Sequence, residues 1–141
     1  MNAREESKPT VGFIGIGLMG QPMARLIYRA GYPLVIYDTD VRQTRQFQAA
    51  HANASAARKL AEIMEAQVVI TMLPDSDTVD AVVLGRNGRA GLIDLLVSGS
   101  TVIVMSSSEP MRSRRLAEQL AARDIHFLDA PVSGGVKRAI D

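Results

Sequence analysis

Cysteine is absent from the chain, which excludes disulfides and removes the thiolate as nucleophile and as metal ligand. Histidine is scarce: only His51 and His126 occur, and neither has metal-ligand spacing around it. Aromatic residues make up 4% of the chain against 47% apolar residues overall, so any core must be built on Val, Ile, Leu and Ala, as suits an α/β protein. Charge of one sign is not in excess, with 16 basic and 15 acidic side chains, and this speaks against nucleic acid as a partner. Long hydrophobic runs are missing too. Val68–Leu73, among the longest, is far too short to cross a bilayer, which argues against a membrane partner. The opening MNAREESKPT is polar and charged and lacks the apolar stretch of a signal peptide, so a cytoplasmic location is the expectation.

What is present is a regular alternation. The 141 residues suffice for one domain with a substantial core. Residues 1–9 read as a flexible tail, and residues 10–141 as one domain without repeats or linkers. Thr10–Ile16 is a β-branched, mostly apolar run that suits a buried strand. Met19, Met23, Leu26, Ile27 and Ala30 then recur at helical spacing, with Gly31 as a stop signal. A second strand is expected over Leu34–Tyr37, a polar helix from Val41 to about Ala50, and a short third strand over His51–Asn53. Ser55 would cap a helix over Ala56–Ala66. Further strands are expected over Val68–Leu73, Thr101–Met105 and Ile125–Leu128. The helices between them begin after Pro74, cover Leu92–Leu96, and run from Pro110 to Arg123. Strands and helices alternating in this rhythm imply right-handed crossovers and a doubly wound parallel sheet of Rossmann type.

The chemistry centres on Gly15-Ile16-Gly17-Leu18-Met19-Gly20, which spells GxGxxG between the first strand and the first helix. Gly15 would allow the tight turn out of the strand, Gly17 the close approach of a pyrophosphate, and Gly20 the packing of helix on strand. The helix N-terminus adds free N–H groups and a partial positive charge for the anion. Asp38 ends the second strand, where a carboxylate can accept both hydroxyls of an adenine ribose and repel a 2′-phosphate. That favours NAD over NADP, although Arg42, one helical turn on, could reach back to a phosphate. The competing reading is a glycine loop used for packing alone, with Asp38 as an ordinary strand-end cap. The order strand, glycines, helix, strand, acid favours the cofactor. His126 and His51 read as structural, and Arg112, Arg114 and Arg115 as a solvated helix face.

With these residues in place the chain resembles the β-hydroxyacid dehydrogenases, relatives of 6-phosphogluconate dehydrogenase, over Gly12–Asp141. The resemblance rests on Gly12–Ala24, on Met72-Leu73-Pro74-Asp75, on Ser106–Pro110, and above all on Asp129-Ala130-Pro131-Val132-Ser133-Gly134-Gly135. It implies that Leu73 and Pro74 lie against the cofactor and that Ser107 lies near the nicotinamide ribose. It further implies that Ser133, Gly134 and Gly135 bind the substrate carboxylate, a role that a nest of N–H groups and a hydroxyl can also perform on chemical grounds. A plain strand-to-helix turn would favour the same three residues. The implied reaction moves hydride between NAD(H) and a small 3-hydroxy acid or its semialdehyde.

Departures from the family pattern are Leu26, where Asn is usual, and Val104, where Asp is frequent. The family's catalytic lysine and its all-helical C-terminal domain, which builds the homo-oligomer, correspond to positions beyond Asp141. Lys137 and Arg138 do not match that lysine and read as surface residues. This chain is therefore expected to be the cofactor-binding part of a longer enzyme, inactive alone, with no catalytic residue of its own and no metal. A domain ending here is expected to leave apolar edges open, and so to self-associate or to be less stable than the full enzyme. Two alternatives stand beside it: a free-standing NAD-sensing module without catalysis, and an NADPH-dependent imine reductase-like enzyme, against which Asp38 and Ser133–Gly135 both count.

Overall fold

The computed structural model describes residues 6–140; residues 1–5 of the expected tail, and Asp141, lie outside the described residues. Six strands form one parallel sheet: β1 (Val11–Ile14), β2 (Leu34–Tyr37), β3 (Ser55–Ala56), β4 (Val68–Thr71), β5 (Thr101–Val104) and β6 (His126–Asp129). Their order is β3-β2-β1-β4-β5-β6. The chain starts in the middle, winds outward to β3, returns to β4 beside β1, and winds outward again to β6. This is the expected doubly wound arrangement, and it places a topological switch point between β1 and β4.

The helices are α1 (Gly20–Arg29), α2 (Val41–Ala50), α3 (Ser76–Leu84), α4 (Leu92–Leu95), α5 (Pro110–Ala121) and α6 (Gly135–Ile140). All of β1 is buried, because a central parallel strand is covered on both faces. Alternate residues of the strands feed separate cores. Phe13, Ile16 and Ile36 pack with Ala24 of α1 and Phe47 of α2. Ile14, Val69, Val102 and Val104 pack on the other face with Val79 and Val83 of α3 and Leu116 and Leu120 of α5. The buried positions of α1 are Gly20, Pro22 and Ala24, small residues that let the helix lie close to the sheet. Among the described residues no helix is long and apolar enough to cross a membrane.

Two local expectations are corrected. The third strand lies at Ser55–Ala56 rather than over 51–53, paired to Val35 and Ile36 of β2. His51 instead closes α2: its Nδ1 sits 2.9 Å from the Phe47 carbonyl oxygen, and its ring stacks on Phe47 at 4.2 Å between centroids. The helix expected over Ala56–Ala66 is reduced to a 3₁₀ turn, Leu60–Ile63. From the edge strand the chain must come back past β2 and β1 to the start of β4. That connection is made of bends and turns around the 3₁₀ turn, which buries Ile63 in the core, so tertiary packing overrides helix propensity here.

Candidate functional site

The site forms where β1 gives way to α1. Gly15 turns the chain with φ of +97°, and a Cβ there would fall on the carbonyl oxygen of Met72 in the β4–α3 loop. A Cβ on Gly20 would fall on the carbonyl oxygen of Gly15. These two glycines are therefore required by the loop itself. Gly17 differs: it is exposed, and a Cβ there would meet no atom within 4 Å. The open space lies at the start of α1, whose cap residue Met19 offers no side-chain hydrogen bond and whose first turn carries no acid. Helices α2 and α3 are built otherwise, with the side chains of Asp40 and Asp75 accepting N–H groups of their first turns. The α1 terminus is thus left without a protein anion, as an incoming phosphate requires. Ile16 is buried beneath the loop, whereas Leu18 projects from it with 84% of its surface exposed.

Asp38 joins this loop directly. One carboxylate oxygen accepts the backbone N–H of Ile16 at 2.8 Å, and the other accepts that of Asp40 at 2.8 Å. Each carboxylate oxygen has a second lone pair, so the acid can fix the loop and still accept a ligand hydroxyl. Arg42 is turned away from that position: its Nε and Nη2 each lie 3.0 Å from a carboxylate oxygen of Asp40. Hydrogen bonding to Arg42, by side chain and then backbone, holds the Asp40 carboxyl below the usual carboxylate range. Next to Asp38, a cavity of about 980 Å³ opens between Tyr37, Thr39, Leu60, Thr78 and Val82. Arg58, Lys59, Arg86 and Arg89 rim it, and among the described residues none of these four makes a salt bridge.

Beyond the switch point, the loops after β4 and β5 bound a cleft of about 590 Å³ containing Pro74, Asp75, Ser107, Glu109 and Arg112. Leu73 is half-buried, and its N–H donates to Oγ of the buried Ser106 at 3.3 Å. Ser107 is exposed. Arg112 does not belong to a solvated face; it reaches back to Asp77 and Asp80 of α3. Arg114 and Arg115 are exposed as expected.

Ser133, Gly134 and Gly135 follow β6 at the same carboxyl end of the sheet, exposed, with positive φ at both glycines. Their strand extension runs beside β5, with the Val132 N–H donating to the Met105 carbonyl at 3.3 Å. Among the described residues no side-chain hydrogen bond ties Ser133 to the other site residues. Lys137 and Arg138 are exposed on α6, and His126 is exposed on the edge strand. Leu26 is half-exposed on α1, while Val104 is fully buried, where the carboxylate of an Asp would be desolvated at high cost. No group of three or more His, Asp or Glu able to hold a metal occurs among the described residues.

The sequence reading brought out the glycines and Asp38 but not the bond between Asp38 and Ile16. Nothing in the sequence distinguishes Ser106, which bonds Leu73, from Ser107, or announces the reach of Arg112 to α3. Gln21 also went unnoticed; its Nε2 donates to Gln43 Oε1 at 2.8 Å and ties α1 to α2.

Comparison with known proteins agrees with this fold. The family described as the NAD binding domain of 6-phosphogluconate dehydrogenase matches residues 10–141. The mitochondrial 3-hydroxyisobutyrate dehydrogenase of Mus musculus is 40% identical over 134 residues, which cover 94% of this chain and 38% of the mouse protein. The 2-hydroxy-3-oxopropionate reductase of Escherichia coli K12 is 35% identical over 127 residues, covering 89% of this chain and 41% of that protein. A solved structure of 3-hydroxyisobutyrate dehydrogenase from Mycobacterium tuberculosis with L-serine superposes with a TM-score of 0.84 at 30% identity, covering 94% of this chain and 43% of that one. The chain spans about two fifths of the length of the curated relatives it matches.

Proposed function

The chain belongs to the family of the NAD binding domain of 6-phosphogluconate dehydrogenase, and from that premise we propose that it binds NAD(H) across the carboxyl end of its sheet. In this reading it is the cofactor half of a dehydrogenase acting on a small 3-hydroxy acid or its semialdehyde. When bound, the nicotinamide supplies the hydride acceptor or donor. The chain's own residues hold and orient it. The observation that carries the reading is the open space over Gly17 at an uncapped helix start, bonded from the side by Asp38.

The residues present fit a dinucleotide. The pyrophosphate would lie over Gly17 on the first turn of α1, held by N–H groups of Gly17 to Gly20 and by the helix charge, while the Ile16 N–H stays on Asp38. The adenine ribose sets its two hydroxyls on Asp38, whose charge disfavours a 2′-phosphate and so selects NAD over NADP. The adenine occupies the cavity beside Thr39 and Leu60. The nicotinamide half crosses the switch point to Leu73, Pro74 and Ser107. The substrate carboxylate sits on Ser133, Gly134 and Gly135, where N–H groups and a hydroxyl can converge on an anion.

Two relatives of different name, a 3-hydroxyisobutyrate dehydrogenase and a 2-hydroxy-3-oxopropionate reductase, support a small hydroxy acid or its oxo partner as substrate. The reaction also needs a general acid/base at the reacting oxygen. Lys137 and Arg138 are not assigned that role, so the chain by itself should bind cofactor without turnover, and the whole enzyme should be a homo-oligomer. The test is calorimetric titration of the 141-residue chain with NADH and NADPH. Preference for NADH supports the reading. Preference for NADPH would overturn the role of Asp38, and absence of binding by both would overturn the cofactor site.

A further inference from the structure

Arg112 stands in the first turn of α5, just after Pro110, and its guanidinium leaves its own helix to reach α3. Its Nη2 lies 2.7 Å from Asp77 Oδ1 and 2.5 Å from Asp80 Oδ2, and its Nε lies 3.1 Å from Asp80 Oδ2. Asp77 and Asp80 are three residues apart near the start of α3, so they present their carboxylates on one helix face. A planar guanidinium can span that pair, whereas a lysine ammonium offers one nitrogen and cannot keep the same fork.

The position of this clamp matters more than its strength. Arg112, Asp77 and Asp80 are partly exposed, with side-chain exposures of 30%, 75% and 27%, so solvent screening limits what the pair adds to global stability. Val79, Val83 and Leu116 share one hydrophobic core, which already holds the bodies of α3 and α5. What the clamp adds is a link between the first turns of the two helices. Those turns directly follow the loops that carry Pro74 and Ser107. Nearer the sheet the same two loops are joined by the Leu73 N–H donating to Ser106 Oγ. The two loops are therefore tied together nearer the sheet by the Leu73–Ser106 bond and at the cleft by Arg112.

We propose that Arg112 is a positioning residue that sets the width of the β4–α3/β5–α5 cleft and, through it, the hold on the nicotinamide half of the cofactor. The inference rests on the cofactor reading given under Proposed function. Arg112 touches neither reacting atom nor substrate; it acts through Pro74 and Ser107. Its effect is confined to one half of the ligand, because the adenosine half lies on the far side of the switch point, at Asp38.

The test compares NADH with ADP, which carries the adenosine and pyrophosphate but no nicotinamide riboside, on wild type, Arg112→Gln, Arg112→Lys and the double variant Asp77→Asn/Asp80→Asn. Affinity is measured by calorimetry, bound-NADH fluorescence reports the surroundings of the nicotinamide, and thermal melting shows that each variant is folded. Arg112→Gln should weaken NADH by about three- to tenfold, in the range of coupling between contacting groups, and leave ADP unchanged. The paired asparagine variant should show the same loss, and combining it with Arg112→Gln should add nothing further. Arg112→Lys should fall between. Equal NADH affinity in wild type and Arg112→Gln would overturn the proposal, as would equal loss of NADH and ADP. If Arg112→Gln fails to fold, the asparagine pair decides by the same criteria. Wild type that binds ADP and NADH places any such failure on the clamp alone; wild type that binds neither would overturn the cofactor reading and the clamp with it.

Discussion

The carboxylate of Asp38, at the end of β2, accepts the backbone N–H of Ile16 in the glycine loop at 2.8 Å. The acid that is to hold a ribose therefore also fixes the loop that is to hold the pyrophosphate. One substitution should damage both. Asp38→Ala removes the acceptor for Ile16 and Asp40 and the partner of the ribose hydroxyls. Hydrogen bonds to a charged group contribute about 1.5–3 kcal/mol, so NADH should bind roughly ten- to a hundredfold more weakly. NADPH should lose less, since the repulsion of its 2′-phosphate goes with the carboxylate. Parallel titrations with the two cofactors decide the matter: unchanged NADH affinity would remove Asp38 from the site.

The three glycines of the loop should separate into two kinds of mutant. A methyl group on Gly20 falls on the Gly15 carbonyl, and one on Gly15 falls on the Met72 carbonyl at a backbone φ of +97°. Both substitutions to alanine should lower the melting temperature; the strained backbone at Gly15 alone costs about 1–3 kcal/mol. Gly17→Ala meets nothing in the protein. It should melt like wild type yet bind NADH at least tenfold more weakly, because the methyl group occupies the space a phosphate needs. A Gly17→Ala protein that keeps both its melting temperature and its affinity would mean that the pyrophosphate lies elsewhere.

Much of this was legible in the sequence, and the exceptions share a cause. Strands β1, β2, β4 and β5 are mostly apolar runs rich in Val and Ile, and their burial demands that pattern, whereas β6 at the edge is His-Phe-Leu-Asp and largely exposed. Ser55–Ala56 carries no such pattern; it becomes a strand because Val35 and Ile36 offer free backbone groups beside it. The Ala-rich stretch after it has good helix propensity, yet only Leu60–Ile63 coils, as a 3₁₀ turn that buries Ile63 in the core. The same division holds in the site. Gly15, Gly17, Gly20 and Asp38 announce themselves by residue type and spacing. Arg112 looks like one of several basic residues on a helix, and only the adjacency of α3 and α5 reveals its partners. Ser106 and Ser107 are alike in sequence; the side of the strand end on which each falls makes one buried and the other exposed.

Acid should weaken the fold through its helix caps. Asp75 accepts the N–H of Thr78 at 2.8 Å and its hydroxyl at 2.8 Å. These bonds, the backbone one first, hold its carboxyl below the usual carboxylate range. The folded state thus binds the proton less readily than the unfolded chain, whose aspartate titrates near pH 3.9. The contribution is fully present above that value and is lost as pH falls through the lower folded value. Asp75→Ala should therefore melt a few degrees below wild type at neutral pH, and the gap should close in acid below about pH 4. Asp75→Asn retains an acceptor at the cap and should sit between the two at neutral pH. A gap between wild type and Asp75→Ala that stays constant from about pH 7 to pH 3 would show that the cap does not act through its charge.

The β6 edge should govern self-association. Phe127 packs into the core with Val102 and Val104, which turns Leu128 to the opposite face of the sheet, where 52% of its surface is exposed. Beside it in register is Ile103 of β5, only partly covered. Among the described strands β6 has a neighbour on one side only, so its free backbone groups and this apolar strip lie together. Unpaired edges with apolar side chains invite pairing with another chain, and a charge placed on them blocks it. The 141-residue chain should sediment as a concentration-dependent mixture of monomer and larger species. Leu128→Lys should shift it toward monomer without lowering its affinity for NADH, since Leu128 lies outside the glycine loop and the Asp38 cavity. Wild type that remains monomeric over a wide concentration range would overturn this, as would a Leu128→Lys protein that associates as strongly as wild type.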